Sequence, residues 1–360
     1  MQSKSFKSLN KTLLGSFFLC LFAMVGVNAA YDPLHVLNAP KKIDVYDRQA
    51  RFGHVGIVRH TNTGDVFVGS SVFQDLDEGI YNGVTGREMT RIPVPGASPV
   101  ELYEVLDTLL ALNSETLNRV VIGMDFFVWG KEGTQAKWGQ FPQYLYSDAP
   151  FVEAKYLGSF QTFSRLMRLM PDYYMLEGRE RTYETRYRAT YDHKIGRRAV
   201  FQHACKIKDK KRAQIEALSF ENARANIEYY IGRLLSDYPD TKFVFMLPTY
   251  SILEYAQYQK FGKLNDFIAF REKLSILVEN ELNLSLVDGQ SNARTSLNLD
   301  IFYDATHGGQ EVLDPMLAYP EVSFHEELMQ NSQNLQLVTQ REGRVYYKEM
   351  LTHCSLEVKI

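Results

Sequence analysis

The stretch "DVFVGSSV", Asp65–Val72, is an apolar run that ends in one glycine and two serines. The run is apolar enough for a β-strand that is buried on both faces. Similar runs occur at 119–127, 242–250 and 284–289, and longer segments with helical periodicity lie between them. Short β-type runs that alternate with helices are typical of βαβ units. The sequence therefore predicts an α/β fold with a central parallel sheet.

The clearest predicted helix is the segment "SPVELYEVLDTLLALN". Ser98 suits the N-cap position, Pro99 the first helical position, and Glu101 completes a capping box. Further helices are predicted over 216–235 and 265–282. Each of these helices lies between two predicted strands, as the crossover connections of a parallel sheet do.

The first thirty residues differ in composition from the rest of the chain. Three lysines precede an almost uninterrupted apolar run from Leu13 to Val27, and "NAA" follows it. This pattern indicates an export signal over residues 1–30. The run is shorter than the roughly 20 apolar residues of a spanning helix, and Val27 and Ala29 supply the small residues of a cleavage site. A cleaved signal peptide is favoured over an uncleaved membrane anchor, and either places the rest of the protein outside the cytoplasm.

Length, charge and cysteine content limit the class of protein. The chain has 360 residues, of which 45% are hydrophobic, and its formal net charge of -3 argues against a nucleic-acid partner. After the export segment only Cys205 and Cys354 remain, so one disulfide is possible but no disulfide scaffold. The two cysteines lack metal-ligand spacing. We therefore expect neither a metal nor a cofactor.

The regular pattern breaks down between about residues 156 and 213, where the chain is rich in aromatic and basic residues. Residues 179–212 contain twelve Lys or Arg against four Asp or Glu. We interpret the region as an insertion or lid that docks an anionic partner, such as an acidic glycan or a lipid headgroup, with Arg197 and Arg198 as candidate substrate-binding residues. The alternative is a solvated, partly helical face that binds no ligand. Residues 321–360 form a C-terminal extension with no predicted role.

Candidate catalytic residues lie where predicted strands end. In a parallel sheet, ligands bind outside the carboxyl ends of the strands. A serine becomes a nucleophile when a base takes its proton and a third group orients the base. Asp304 and His307, three residues apart, suit those two roles for Ser71. Gly69 and Gly96 allow backbone N–H groups to approach a developing oxyanion.

Four short blocks carry a family resemblance. In chain order they are "GSSV" at 69–72, "PGAS" at 95–98, "GMD" at 123–125 and "DATH" at 304–307. Their order and separations resemble those of the SGNH (GDSL-type) hydrolase superfamily. The export segment, "YDPLHVLN" and "GASPVELYEVL" further resemble the envelope-anchored branch that includes alginate O-acetylation proteins. The resemblance implies a flavodoxin-like three-layer domain over 31–320, interrupted by the basic, aromatic-rich insertion.

The resemblance also implies a role for each matching residue. Ser71 matches the nucleophile, and His307 and Asp304 match the base and its orienting carboxylate. The backbone N–H groups of Ser71 and Gly96 would bind the oxyanion. Asp125 departs from the family, which usually has an asparagine amide there as a further donor. A protonated Asp125 could still donate, or its side chain points away and leaves the two backbone groups to serve.

These matches imply acyl-ester chemistry in the periplasm or at the outer face of the inner membrane. The expected activity is that of an O-acyl esterase or O-acyltransferase acting on an acylated envelope or exported glycan, with a membrane-bound acyl-donor partner in the case of transfer. The membrane itself is expected to be contacted only through the N-terminal segment. The competing hypothesis, which Asp125 favours and the Ser71, His307 and Asp304 set opposes, is a non-catalytic polysaccharide-binding or assembly protein with the same fold. A lipase-like enzyme would need a broad apolar lid, whereas the insertion is basic.

Overall fold

The computed structural model describes residues 2–41, 45–47, 49–133, 141–147, 149–174, 194–318, 321–322 and 325–357. Packing divides the chain into two compact units, residues 1–61 with 142–187 and residues 62–141 with 188–360. The sequence prediction has a single domain over 31–320 and an extension after it, and these limits stay a prediction. Of the predicted insertion, residues 175–193 lie outside the described residues. All the predicted strands and site residues belong to the second unit.

A mixed sheet forms the centre of the second unit. Its strands are β1 Asp65–Gly69, β2 Met89–Pro93, β3 Arg119–Gly123, β4 Lys242–Leu247, β5 Leu284–Asp288 and β6 Glu321–Val322. Their order in the sheet is β2-β1-β3-β4-β5-β6, in which the first five strands are parallel and β6 runs antiparallel to β5. The predicted α/β fold with a parallel sheet is confirmed, and the architecture is consistent with three layers. The four predicted strands end one to four residues earlier than expected.

Helices connect the strands and continue to the end of the chain. The α-helices are α1 Gln2–Tyr31, α2 Ala50–Gly53, α3 Val55–His60, α4 Glu78–Thr85, α5 Pro99–Asn113, α6 Phe126–Trp129, α7 Val152–Leu157, α8 Phe160–Tyr174, α9 Arg197–Lys206, α10 Lys208–Glu216, α11 Phe220–Asn226, α12 Gly232–Asp237, α13 Ile252–Lys260, α14 Leu264–Asn280, α15 Ala293–Leu297, α16 Gln310–Leu313, α17 His325–Val338 and α18 Arg344–Glu357. A π-helical turn, Ile227–Ile231, joins α11 to α12. The predicted capping box of α5 is present. The helix predicted from residue 216 begins instead after Ser219, whose side chain accepts a hydrogen bond from the Asn222 N–H.

The first unit contains the N-terminal helix. Within the described residues, one helix is long and apolar enough to cross a membrane, over Asn10–Tyr31 with a mean hydropathy of 2.0. Its last turn packs against the unit, because Asn28 is fully buried and its amide donates to the Leu157 carbonyl at 2.8 Å. Helix α1 is compatible with either a signal peptide or an anchor.

The C-terminal residues are packed on the sheet. The buried Arg271 on α14 donates to both carboxylate oxygens of Asp288, at 3.0 and 2.8 Å, and to Ser332 Oγ on α17 at 2.8 Å. Cys205 on α9 and Cys354 on α18 form the disulfide that the sequence allowed, with their Cα atoms 5.4 Å apart. The predicted extension therefore contacts the end of β5 through Arg271 and is covalently linked to α9.

Candidate active site

Two glycines shape the turn that carries the candidate nucleophile. Gly69 ends β1 and Gly123 ends the neighbouring strand β3, and the ring of Phe73 lies against both. A Cβ atom on Gly123 would lie 2.6 Å from that ring, and one on Gly69 would lie 3.0 Å from it. Phe73 belongs to the 3-10 turn Ser71–Phe73, so its packing holds this turn against the ends of the two strands. The small residues after β1 thus place Ser71 at the carboxyl edge of the sheet.

Ser71, His307 and Asp304 form a continuous hydrogen-bonded chain. Ser71 Oγ lies 3.0 Å from His307 Nε2, and His307 Nδ1 lies 2.9 and 3.1 Å from the two oxygens of Asp304. Because the carboxylate accepts from Nδ1, that nitrogen carries the proton and Nε2 is free to accept from the serine. The structure therefore brings together the three residues that the sequence predicts as nucleophile, base and orienter.

The loop that carries Asp304 and His307 is fixed by its own backbone. Asp304 Oδ1 also accepts from the N–H groups of Thr306 and His307, at 2.7 and 2.8 Å. The Ala305 carbonyl accepts from both the N–H and the hydroxyl of Ser251, which follows β4. These bonds hold the carboxylate in one orientation toward the imidazole.

The two ionisable members of this chain have shifted pKa values. Burial alone would raise the pKa of Asp304, but the charge and hydrogen bonds of His307 outweigh burial and hold the pKa well below its usual range. Burial would lower the pKa of His307, yet the Asp304 charge and hydrogen bond raise it above its ordinary value, with Lys211 opposing the rise. Imidazolium formation is thus favoured when the serine proton arrives.

Gly96 lies in a turn that is tied to the end of β1. Val94 donates its N–H to the Gly69 carbonyl at 2.7 Å, and Ala97 N–H donates back to the Val94 carbonyl at 3.1 Å. Pro95 and Gly96 occupy the middle of this turn, and Gly96 has φ +63, a conformation that side chains disfavour. Gly96 lines the same cavity as Ser71, as the sequence predicts.

Asp125 also lines this cavity, but its carboxylate accepts hydrogen bonds from three donors. The Phe127 N–H donates to it at 2.9 Å, the Ser70 hydroxyl at 3.0 Å, and the Tyr250 hydroxyl donates as well. Burial raises the pKa of Tyr250 well above its ordinary value and the Asp125 charge raises it further, so the phenol stays a donor. The side chain accepts from Ser70 and Tyr250 instead of donating to an oxyanion, which agrees with the alternative that leaves the two backbone N–H groups to serve.

One residue of the cavity lining, Lys211, belongs to a buried ion pair. Lys211 Nζ lies 2.8 Å from Glu254 Oε1, and the two side chains are 10% and 0% exposed. Lys211 also donates to Thr306 Oγ1 at 3.1 Å, and that hydroxyl donates to Glu254 Oε2 at 3.3 Å. Since Thr306 precedes His307, the ion pair supports the loop of the candidate base. The cavity has a volume of about 220 Å³.

Arg197 and Arg198 are not among the residues that line this cavity. Both are exposed at the start of α9. The Arg197 guanidinium pairs with the Glu349 carboxylate at 2.9 Å and lies 5.1 Å from the centre of the Tyr346 ring. Arg197 is therefore bound to α18, and the substrate-binding role of the two arginines stays a prediction.

Sequence analysis missed several cavity residues. His203 Nδ1 on α9 lies 3.8 Å from Asp304 Oδ2, and Lys211 had been counted only as part of a basic run. Tyr250 does not line the cavity but bonds Asp125, and it is the last residue of the predicted strand 242–250, so its position was a usable signal. Gln257, on α13, carries no signal in the sequence beyond helical periodicity.

No protein-family model matches the sequence, and no curated protein matches it. Among the described residues, no group of three or more His, Cys, Asp or Glu side chains could hold a metal ion. What the site offers chemically is a serine hydroxyl with an oriented base, in a cavity also lined by a positive-φ glycine and a buried lysine.

Proposed function

We propose that the protein performs serine-dependent acyl-ester chemistry and belongs to the SGNH-type hydrolases. The observation that carries this proposal is the chain from Ser71 Oγ through His307 to the Asp304 carboxylate, with distances of 3.0 and 2.9 Å. Nucleophile, base and orienter within hydrogen-bond reach of one another are the signature of an activated serine.

In the proposed reaction Ser71 Oγ attacks the carbonyl carbon of an ester while His307 Nε2 takes the hydroxyl proton. The tetrahedral oxyanion collapses, the C–O bond to the alcohol breaks, and His307 returns the proton to the departing alkoxide. Water or an acceptor hydroxyl then attacks the acyl carbon while His307 takes its proton. The bond from that carbon to Ser71 Oγ breaks, His307 returns the proton to Ser71, and a carboxylic acid or a new ester is released. Asp304 stabilises the imidazolium in both steps.

The backbone N–H groups of Ser71 and Gly96 are the proposed oxyanion donors. Ser71 is the first residue of its 3-10 turn, where an amide has no partner within the turn. Asp125 adds no donor. The proposed oxyanion site therefore has one hydrogen-bond donor fewer than a family member with asparagine at this position. Loss of one donor typically costs roughly a hundredfold to a thousandfold in rate.

The substrate class and the location belong to the same proposal. The resemblance supports an acylated glycan of the envelope or an exported polysaccharide, with a membrane-bound acyl donor for transfer, on the outer side of the inner membrane. We propose that α1 is retained as an anchor, because Asn28 is fully buried and donates to the Leu157 carbonyl. The intact mass of protein extracted from membranes tests this point: loss of residues before Tyr31 would contradict it.

A fluorophosphonate trap tests the activity. The full-length chain in mild detergent is treated with the trap and analysed by intact mass and peptide mapping, beside Ser71→Ala and Ser70→Ala. We expect a stoichiometric adduct on Ser71 in the unmodified chain and in Ser70→Ala, and none in Ser71→Ala. Absence of an adduct at every pH where His307 is neutral would refute the proposal.

The second candidate is a non-catalytic polysaccharide-binding protein, which the three donors to the Asp125 carboxylate favour. A carboxylate beside the nucleophile opposes an oxyanion but not a bound sugar hydroxyl. The same trap separates the two functions, because a binding protein would retain a glycan without forming the adduct. Charge reversal at Arg197 and Arg198 then shows whether an acidic glycan is retained through them.

A further inference from the structure

Gln257 is a buried polar residue in the lining of the cavity that contains Ser71. The residue is 5% exposed and lines the cavity. Within the described parts of the chain its Oε1 has no hydrogen-bond partner. Buried side-chain amides are nearly always hydrogen-bonded, and an unpaired one is costly. Its position therefore points to a ligand group as the missing partner.

Two other polar side chains of this region, Lys211 and Glu254, pair with each other. Glu254 lies one helical turn before Gln257 on α13, and its two oxygens are engaged by Lys211 and Thr306. The Gln257 backbone carbonyl accepts from the Phe261 N–H at 2.9 Å. Gln257 Oε1 is thus left without a hydrogen-bond partner among the described residues, whereas Lys211 and Thr306 in the same cavity lining are paired with each other.

The required partner is a hydrogen-bond donor, and a hydroxyl group fits best. A hydroxyl donates to an amide oxygen and accepts from an amide nitrogen, so it suits either orientation of the Gln257 amide. An unsubstituted acyl chain carries no such group next to its carbonyl, whereas the alcohol part of a sugar ester carries several.

We propose that Gln257 is a specificity-determining residue that hydrogen-bonds a free hydroxyl in the alcohol part of the ester. The site then selects partly acylated polyols, such as a sugar ring with free hydroxyls, over esters of simple alcohols. This inference rests on the proposed function, since it assigns the alcohol side of the ester that Ser71 attacks.

The test compares a monoacetylated methyl glycoside with 4-nitrophenyl acetate, which has no hydroxyl donor. Gln257→Leu should lower kcat/KM for the glycoside roughly tenfold to a hundredfold, because the hydroxyl loses its buried partner. Hydrolysis of 4-nitrophenyl acetate and the rate of fluorophosphonate labelling should change by less than about threefold. Gln259→Leu, the same substitution on the same helix but outside the cavity, is the matched control.

Each outcome decides the point. Equal losses on both substrates would mean that Gln257→Leu damages the site as a whole, and no loss on the glycoside would mean that the amide contacts no substrate hydroxyl. Either result overturns the inference, as does a chain that labels with the fluorophosphonate but never hydrolyses the glycoside.

A binding measurement separates failure of this inference from failure of the proposed function. Calorimetric titration of the glycoside into Ser71→Ala, with and without Gln257→Leu, measures the affinity for the glycoside in the absence of the reaction. A roughly tenfold or greater loss of affinity in the double variant supports the hydroxyl contact even if Ser71 never labels. Equal affinities would refute it.

Discussion

Replacement of Lys211 by methionine should destabilise the protein strongly. The Lys211 ammonium lies 2.8 Å from a Glu254 carboxylate that is 0% exposed, so the substitution leaves a buried charge without its partner. Removal of one member of a buried ion pair typically costs about 3–5 kcal/mol. One modest hydrogen bond, to Thr306 Oγ1 at 3.1 Å, is lost as well.

The assay is the urea unfolding midpoint of the full-length chain, followed by tryptophan fluorescence. The matched control is Lys210→Met, because Lys210 is the preceding residue of the same helix and is exposed. That control should shift the free energy of unfolding by no more than about 0.5 kcal/mol. The double variant Lys211→Met with Glu254→Leu should recover most of the loss, since apolar groups often replace a buried pair at little cost.

Two results would refute this reasoning. If Lys211→Met lowers the free energy of unfolding no more than Lys210→Met does, the Glu254 carboxylate is not buried as the structure shows. If the double variant is as unstable as the single one, the loss comes from packing and not from the unpaired charge. A functional readout accompanies them: burial and the Lys211 charge both lower the pKa of His307, so Lys211→Met should move the onset of Ser71 labelling to higher pH.

Three further predictions concern the same unit. Labelling of Ser71 should rise with pH with an apparent pKa above about 6.5, because the base must be neutral and the pKa of His307 is raised; an onset near pH 5 would contradict this. Asp125→Asn places an amide donor at the cavity, so kcat for a simple ester should rise about tenfold or more, and a fall in a folded variant would count against the oxyanion assignment. Reduction of the Cys205–Cys354 disulfide should cost about 2–4 kcal/mol, and an unchanged melting temperature in dithiothreitol would show that the bond does not constrain the chain.

The strands could be predicted because their signals are local, whereas the pairing of Ser71 with His307 and Asp304 was predicted from the resemblance of their sequence blocks to a known family. The short apolar runs of β1, β3, β4 and β5 indicate strands at these positions, and the capping box that begins with Ser98 is read directly from the sequence. Edge strand β2, "MTRIP", was missed because a short strand that contains Arg91 and Pro93 lacks a continuous apolar run. Helix α4 was also not predicted, although Asp77 at its N-cap and Gly86 at its C-cap supply helix signals.

Pairings between distant residues outside the resemblance blocks could not be predicted. Lys211 and Glu254 are 43 positions apart, and each looks like an ordinary charged residue of an amphipathic helix until the two helices pack together. The roles of Asp125 and Tyr250 depend on a contact across 125 positions. A single sequence carries no information on which of many polar side chains meet, so their chemistry appears only with the tertiary structure.

The segment read as a basic docking surface has a second role in the part that the structure describes. Residues 197–216 form α9 and α10, and their exposed lysines fit a solvated face. Yet the same helices place His203 near Asp304 and Lys211 beside Thr306, and a disulfide fixes α9 to the C-terminal helix. A surface that only attracts a polyanion does so with exposed cations. A buried cation does not contribute to such a surface, and its desolvation must be offset by a paired carboxylate. A buried charge next to His307 shifts the pKa of the imidazole, so this arrangement supports the proposed acid–base chemistry more than the alternative binding cleft.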